Sequence, residues 1–239
     1  MSKSIAVLGA GPGLGQAVAH RYAREGYTVA LVARSQEPLD QLAKQLTGNG
    51  ARAHAITADL ADTDAIPELA DRIRTTIGDP DALYYGAAAN GFVPVLDLTP
   101  QRAQDLMPLG VYTLLALAQE FLPTMIARGN GAILSAQGAS ALHGNPNIAG
   151  GLTLAAQRNF LQALHAAVAD KGVYVGGLYI GAAIENTPFH AQMQAAKAAG
   201  APVPEIPTVD PTRLADLIWT MHNTTSQPET AYPQDLLAT

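Results

Sequence analysis

Short apolar runs alternate with amphipathic stretches along the chain. Residues 4–8, Ser4-Ile5-Ala6-Val7-Leu8, carry no polar alternation, the pattern of a strand buried on both faces. Residues 26–32, 53–57, 82–87, 132–136 and 173–179 read as further strands, and a short last strand is expected at 230–232. Between them apolar residues return at helical spacing. Leu39, Leu42, Ala43 and Leu46 form one stripe, closed by Gly48-Asn49-Gly50. Ile66, Leu69, Ala70, Ile73 and Ile77 form another, stopped by Gly78. A long helical stretch is predicted over 99–128, interrupted near Pro108-Leu109-Gly110, with further helices ending at 170 and spanning 211–222. Residues 188–208, rich in Ala and Pro, read as a mobile flap over a substrate site. Strands alternating with helices predict one α/β domain over residues 1–239. Its core is a doubly wound parallel sheet of about seven strands with helices on both faces. The site of such a sheet lies at the C-terminal ends of the strands.

The first strand runs into Gly9-Ala10-Gly11-Pro12-Gly13-Leu14-Gly15, and a helix pattern follows at once. Glycines let the backbone turn sharply and approach a phosphate, and the helix N-terminus presents N–H groups and a partial positive charge to it. A strand, glycine turn, helix and second strand make the Rossmann-like unit that holds a dinucleotide pyrophosphate. The spacing here is Gly9-x3-Gly13-x-Gly15; Leu14 and Gln16 fill the last slots of the G-x-G-x-x-G form. The second strand ends at Ala33-Arg34-Ser35, with no carboxylate to accept from a ribose 2′-hydroxyl. A guanidinium pairs with a 2′-phosphate through its planar fork, so NADP(H) is expected rather than NAD(H).

Composition narrows the chemistry. The 239 residues are 48% hydrophobic and 14% charged, enough for one large domain with its own core or at most two small ones. The net charge is −6 and Lys3, Lys44, Lys171 and Lys197 are scattered, so neither nucleic acid nor an anionic membrane is an expected partner. The chain has no cysteine, which excludes disulfides, thiolate catalysis and zinc–sulfur sites. The histidines form no H-x-x-x-H pair, and no metal is expected. The apolar start is short and glycine-broken, so a cytoplasmic location is expected.

Together these residues resemble the short-chain dehydrogenase/reductase family along the whole chain. The carriers are the glycine turn, Ala33-Arg34-Ser35, Asp59-Leu60, Gly131-Ala132-Ile133-Leu134, and Gly181 with Thr187-Pro188. The resemblance implies that Asp59 and Leu60 meet the adenine and that Ile184 and Thr187 sit by the nicotinamide carboxamide. The family's Asn-Asn-Ala-Gly corresponds to Tyr85-Gly86-Ala87-Ala88, which puts Ala87 against the cofactor. The resemblance also implies a homodimer or homotetramer, built on helices spanning 110–128 and 151–170.

The departures from the family fall together. Its catalytic Asn falls near Gly110 and its Ser on Gly138. Its Tyr-x3-Lys pair falls on Gly151 and Ala155, or, one residue earlier, on Gly150 and Leu154. No tyrosine in the chain has a lysine four residues later. In the family the Tyr gives a proton, the Lys lowers its pKa and the Ser polarises the carbonyl. Tyr85 and His143 are the candidate catalytic replacements, with Tyr179, Gln137, Ser140 and Glu185 nearby. Each also has a plain structural reading: Tyr85 as a residue packed at a sheet end, His143 as a solvated loop residue, Gln137 and Ser140 as turn partners. Glycine at the vacated positions predicts an enlarged pocket beside Gly138 and Gly151, unless residues 188–208 fill it. The reading is an oxidoreductase with a non-standard active site acting on a small molecule. Two alternatives stay open: an inactive NADP(H)-binding sensor or partner subunit, and a non-redox cyclase or isomerase.

Overall fold

The computed structural model describes residues 3–88, 92–201, 203 and 205–237. The strands are β1 (Ser4–Leu8), β2 (Thr28–Ala33), β3 (Ala53–Thr57), β4 (Ala82–Tyr85), β5 (Gly131–Gly138), β6 (Val173–Ile180), β7 (Ala183–Ile184), β8 (Thr208–Val209) and β9 (Glu229–Tyr232). Seven of them form one sheet in the order β3-β2-β1-β4-β5-β6-β9, with every pairing parallel. The order reverses beside β1, which opens the crevice where doubly wound sheets take ligands.

The continuous apolar runs are explained by cover on both sides. Every residue of β1, β4 and β6 is buried. Ile5, Val7 and Tyr84 pack toward α1 (Leu14–Arg24), α2 (Gln36–Gly48) and α8 (Pro211–Thr224). Ala6, Leu8 and Tyr85 pack toward α3 (Ile66–Ile77), α5 (Thr113–Ala127) and α6 (Gly151–Val168). Phe121 of α5 is fully buried there, a burial worth about 1.5–3 kcal/mol.

The helical stretch 99–128 is broken where the sequence places the break. Thr99 Oγ1 accepts from Arg102 N at 3.1 Å and starts α4 (Pro100–Met107). Pro108 has no N–H, and a π-helical turn over Pro108–Tyr112 joins α4 to α5. Pro100–Ala127 is apolar and long enough to cross a membrane, and Leu114, Leu117 and Met125 bury part of it against the sheet.

Residues 188–208 begin with a helix and end in a short strand. Thr187 caps α7 (Pro188–Ala198), and β8 pairs with β7. The return of the segment is pinned by Ala183 N to Pro207 O (2.8 Å) and Glu185 N to Val209 O (3.0 Å). Pro202 and Pro204, inside the expected flap, lie outside the described residues.

Candidate cofactor and substrate site

The glycine turn is fixed at both ends. Gly9 N and Ala10 N both donate to Val32 O at the end of β2, at 2.9 and 3.0 Å. Gly9 has φ +95°, and a Cβ there would stand 2.8 Å from Ala87 N. Gly13 has φ +89°, and its Cβ would stand 2.5 Å from the Thr187 methyl. Both positions need glycine on backbone and steric grounds. Gly11 is different: a Cβ there would meet nothing within 4 Å. Pro12 is exposed beside it, while Leu14 and Gly15 are buried. Helix α1 starts without a side-chain cap and without an acidic residue in its first turn. Open space at Gly11 in front of an uncapped helix N-terminus fits the phosphates of a dinucleotide.

The ends of the next strands supply the rest of that half-site. Arg34 and Ser35 are exposed after β2, and Arg34 has no hydrogen-bond or ion-pair partner among the described residues. Asp59 is exposed after β3 and accepts from Ala61 N at 3.0 Å. Leu60 is 4% exposed, with its side chain in the core. Only its backbone can meet a bound base.

Beyond the glycine turn lies a cavity of about 470 Å³. Ala87, Ile184 and Thr187 form the wall nearest the turn, and Gly138, Leu154 and Ile180 line it too. Phe92 and Phe189 stack with ring centroids 4.7 Å apart, and both line the cavity beside Ile206. So α7 borders the site through Phe189. Among the described lining residues none is charged and none titrates; the polar side chains are Ser140, Asn145, Thr153 and Thr187. Thr187 Oγ1 donates to Ile184 O at 2.6 Å and accepts from His190 N at 3.2 Å. Thr153 Oγ1 donates to Gly150 O at 3.0 Å.

The vacated positions behave unequally. A Cβ on Gly138 would lie 3.7 Å from Ser140 Oγ and 3.8 Å from Leu154 Cδ1, ordinary contacts at the cavity wall. A Cβ on Gly151 would lie 2.9 Å from Ser140 O, and one on Gly110 would lie 2.5 Å from Thr153 Cβ. Cavities thus lie beside both Gly138 and Gly151, but only Gly138 has open room for a Cβ. Gly150 and Leu154 line this cavity; Gly151 and Ala155 line an adjoining one of about 480 Å³. Neither register supplies a phenol or an ammonium.

The expected replacements lie elsewhere. Tyr85 is 1% exposed, donates to Leu109 O at 2.7 Å and does not line the cavity. Burial pushes its phenol well above the ordinary range. It is a packed sheet-end residue, because β4 turns that face into the core against α5. His143 is exposed on the wall of the adjoining cavity, with Nε2 3.4 Å from Leu236 O. Tyr179 donates to Glu229 Oε1 at 2.9 Å, and Arg158 forks onto the same carboxylate at 2.8 and 2.9 Å. Arg158 is held on that carboxylate and lines neither cavity. Gln137 is buried with neither amide atom hydrogen-bonded among the described residues. The sequence reading missed Gln157, whose side chain accepts from Ser135 Oγ at 2.9 Å and donates to Gly110 O at 2.7 Å. Its signal was a polar residue at a core-facing position of the helix.

A sequence model described as short chain dehydrogenase matches residues 3–198. The chain is 30% identical over 135 residues to 1-deoxy-11-beta-hydroxypentalenate dehydrogenase of Streptomyces exfoliatus, covering 56% of this chain and 49% of that one. It is 32% identical over 136 residues to a fatty acyl-CoA reductase of Mycobacterium tuberculosis, covering 56% and 46%. The chain thus aligns with about half the length of these curated relatives. Among solved structures, L-sorbose reductase from Gluconobacter frateurii with NADPH and L-sorbose superposes with a TM-score of 0.85. That match is 23% identical and covers 96% of this chain and 94% of the other. A short-chain dehydrogenase from Sphingobium yanoikuyae with NADPH superposes with a TM-score of 0.82 at 24% identity, covering 99% and 90%.

Proposed function

The chain belongs to the short-chain dehydrogenase family, and from that premise we propose an NADP(H)-dependent oxidoreductase whose active site works without the family's Ser, Tyr, Lys and Asn. The observation that carries the reading is a shared wall. The residues expected at the nicotinamide, Ala87, Ile184 and Thr187, line the same cavity as Gly138. Gly11 and the start of α1 would hold the pyrophosphate, Arg34 and Ser35 the 2′-phosphate, and Asp59 and the Leu60 backbone the adenine. Bound there, the cofactor supplies or accepts a hydride.

The chain's own residues set what that hydride can reach. An uncharged, mostly apolar wall excludes water and disfavours an ionised substrate, whose burial without a partner costs several kcal/mol. The substrate is therefore a neutral, largely apolar small molecule. With no titratable side chain on the described wall, the proton comes from solvent. A neutral hydride acceptor suits such a site: an activated alkene or imine needs little acid help, and a ketone needs a hydrogen-bond donor on its oxygen. The reading includes a cytoplasmic location and a homodimer or homotetramer, for which the exposed Tyr112 and Leu152 on the two long helical segments offer apolar surface.

The uncharged wall equally favours a second reading, an NADP(H)-binding sensor or partner subunit without turnover. Titration with NADPH, followed by fluorescence, with NADH and an Arg34→Ala variant as controls, tests the half-site. Nicotinamide absorbance with neutral carbonyl, imine and enone substrates then separates the readings. NADPH binding with turnover supports the oxidoreductase, binding without turnover supports the sensor, and no binding overturns both.

A further inference from the structure

We propose that the Ser140 hydroxyl is the group that binds the substrate's oxygen, in place of the serine absent at Gly138. The inference rests on the oxidoreductase reading and deepens it to a carbonyl substrate with an apolar body.

Counting donors singles it out. Of the four polar side chains on the described wall, Thr187 and Thr153 have spent their protons on Ile184 O and Gly150 O. Asn145 accepts from Asn147 N at 2.9 Å and is exposed, so water competes for its amide. Ser140 is half-buried, and its hydroxyl has no partner among the described residues. It lines both adjoining cavities. A polar group in an apolar wall with an unspent donor is where an uncharged acceptor binds best.

Position makes the same point. Ser140 Oγ lies 3.7 Å from the Cβ point of Gly138 and 3.4 Å from that of Gly151, between the family's Ser and Tyr positions. Its backbone is held in a single turn of 3₁₀ helix, Ala139–Ala141, directly after β5. Leu142 N and His143 N both bond Ala139 O, at 2.8 and 3.3 Å. The start of α6 closes on the other side, because only a glycine at 151 tolerates the Ser140 carbonyl. The hydroxyl is thus presented by a fixed turn, as a preorganised donor requires.

The step balances without an ionisable side chain. A hydride from reduced nicotinamide adds to the carbonyl carbon, and the C=O π pair moves onto oxygen. Ser140 O–H donates a hydrogen bond to that oxygen as its charge grows. A solvent water gives the proton that completes the alcohol, leaving hydroxide, and Ser140 ends unchanged.

The test compares the parent protein with Ser140→Ala and with Ser140→Ala/Gly138→Ser, using acetophenone and cyclohexanone with NADPH. Gly138 has φ −67° and ψ 151° and open space for a Cβ, so a serine fits there. Ser140→Ala is expected to lower kcat by about 100-fold and to raise KM by no more than about fivefold. NADPH affinity is unchanged in both variants, and Gly138→Ser restores at least about tenfold of the loss. A kcat within twofold of the parent, or a loss that the relocated serine does not rescue, overturns the proposal. If the parent binds NADPH and turns over neither ketone, the oxidoreductase reading fails for ketones, and binding decides Ser140 separately. Acetophenone, read by its effect on NADPH fluorescence, then binds the parent about fivefold tighter than Ser140→Ala. Equal affinity, or no ketone binding to either protein, overturns the role of Ser140.

Discussion

Gln157 Nε2 on α6 donates to the carbonyl of Gly110 at 2.7 Å, tying that helix to the π-helical turn between α4 and α5. Its Oε1 accepts from Ser135 on β5 at 2.9 Å, so one buried amide joins three elements behind the cavity. Gln157→Leu leaves Ser135 Oγ and Gly110 O without these partners. Each orphaned buried group costs about 1–3 kcal/mol, against a small gain from the apolar side chain. The variant is expected to lose about 2 kcal/mol in urea unfolding. A loss under about 0.5 kcal/mol would mean the network carries no net stability.

The turn glycines separate stability from ligand binding. Gly13→Ala forces an L side chain to φ +89° and onto the Thr187 methyl, so it should destabilise the free protein by about 1–3 kcal/mol. Gly11→Ala meets nothing in the free protein and should leave its unfolding midpoint unchanged. It narrows the phosphate cradle, so NADPH affinity should fall about tenfold or more. Thermal unfolding and NADPH titration of both variants check the pair. A Gly11→Ala variant that binds NADPH like the parent would remove the turn from the binding site.

Much of this arrangement is legible in the residues, for physical reasons. The run at 4–8 coincides with β1 because a parallel strand covered on both faces reads as an apolar run, while 53–57 coincides with β3, an edge strand that buries Ala53 and Ile56 and exposes His54. Pro108 marks the break in the long helix because it lacks an N–H. Helix α7 was not legible from periodicity, since it buries none of its residues and so shows no stripe. Thr187-Pro188 did carry the local signal, a capping threonine before a proline in the first turn. Tyr85 shows the limit at the site. Both Tyr84 and Tyr85 are apolar-run residues, and only the packed sheet fixes that Tyr85 bonds Leu109 O instead of facing the cavity. The closure of Ser140 O on Gly151 joins separate elements, and no local pattern encodes it.

His222 makes stability depend on pH away from the cavity. Burial and the nearby Lys3 charge lower its pKa from 6.5 to about 4, while Asp81 opposes the shift weakly. The Tyr22 hydroxyl stands 2.9 Å from His222 Nδ1, and its phenol, pushed up by burial, stays protonated to donate. A depressed folded pKa means that the unfolded chain binds the proton first as pH falls. The stabilisation is therefore complete above pH 6.5 and declines as pH falls toward about 4. The decline is on the order of 2 kcal/mol once solvent screening of this partly buried ring is allowed for. Urea unfolding of the parent and His222→Asn across that range checks it. Equal slopes in both proteins would assign the acid loss to other groups.

Restoring the family's side chains one at a time should expose the difference between the vacated positions. Gly138→Ser adds a Cβ at ordinary contact distance, on extended backbone, so stability should change by less than about 0.5 kcal/mol. Gly151→Tyr drives a Cβ to 2.9 Å from the Ser140 carbonyl, a backbone atom that cannot rotate away. The first turn of α6 must lift off the 3₁₀ turn, and overpacking of this kind costs about 1–3 kcal/mol. Replacing glycine in a helix returns at most about 1 kcal/mol, less at its first residue, so the net effect is destabilising. The same displacement moves Ser140, so any ketone turnover should fall in Gly151→Tyr although a phenol has been added. Unfolding midpoints and turnover of the two variants check this together. A Gly151→Tyr protein that is as stable as the parent and faster would mean that α6 has room to accept the tyrosine.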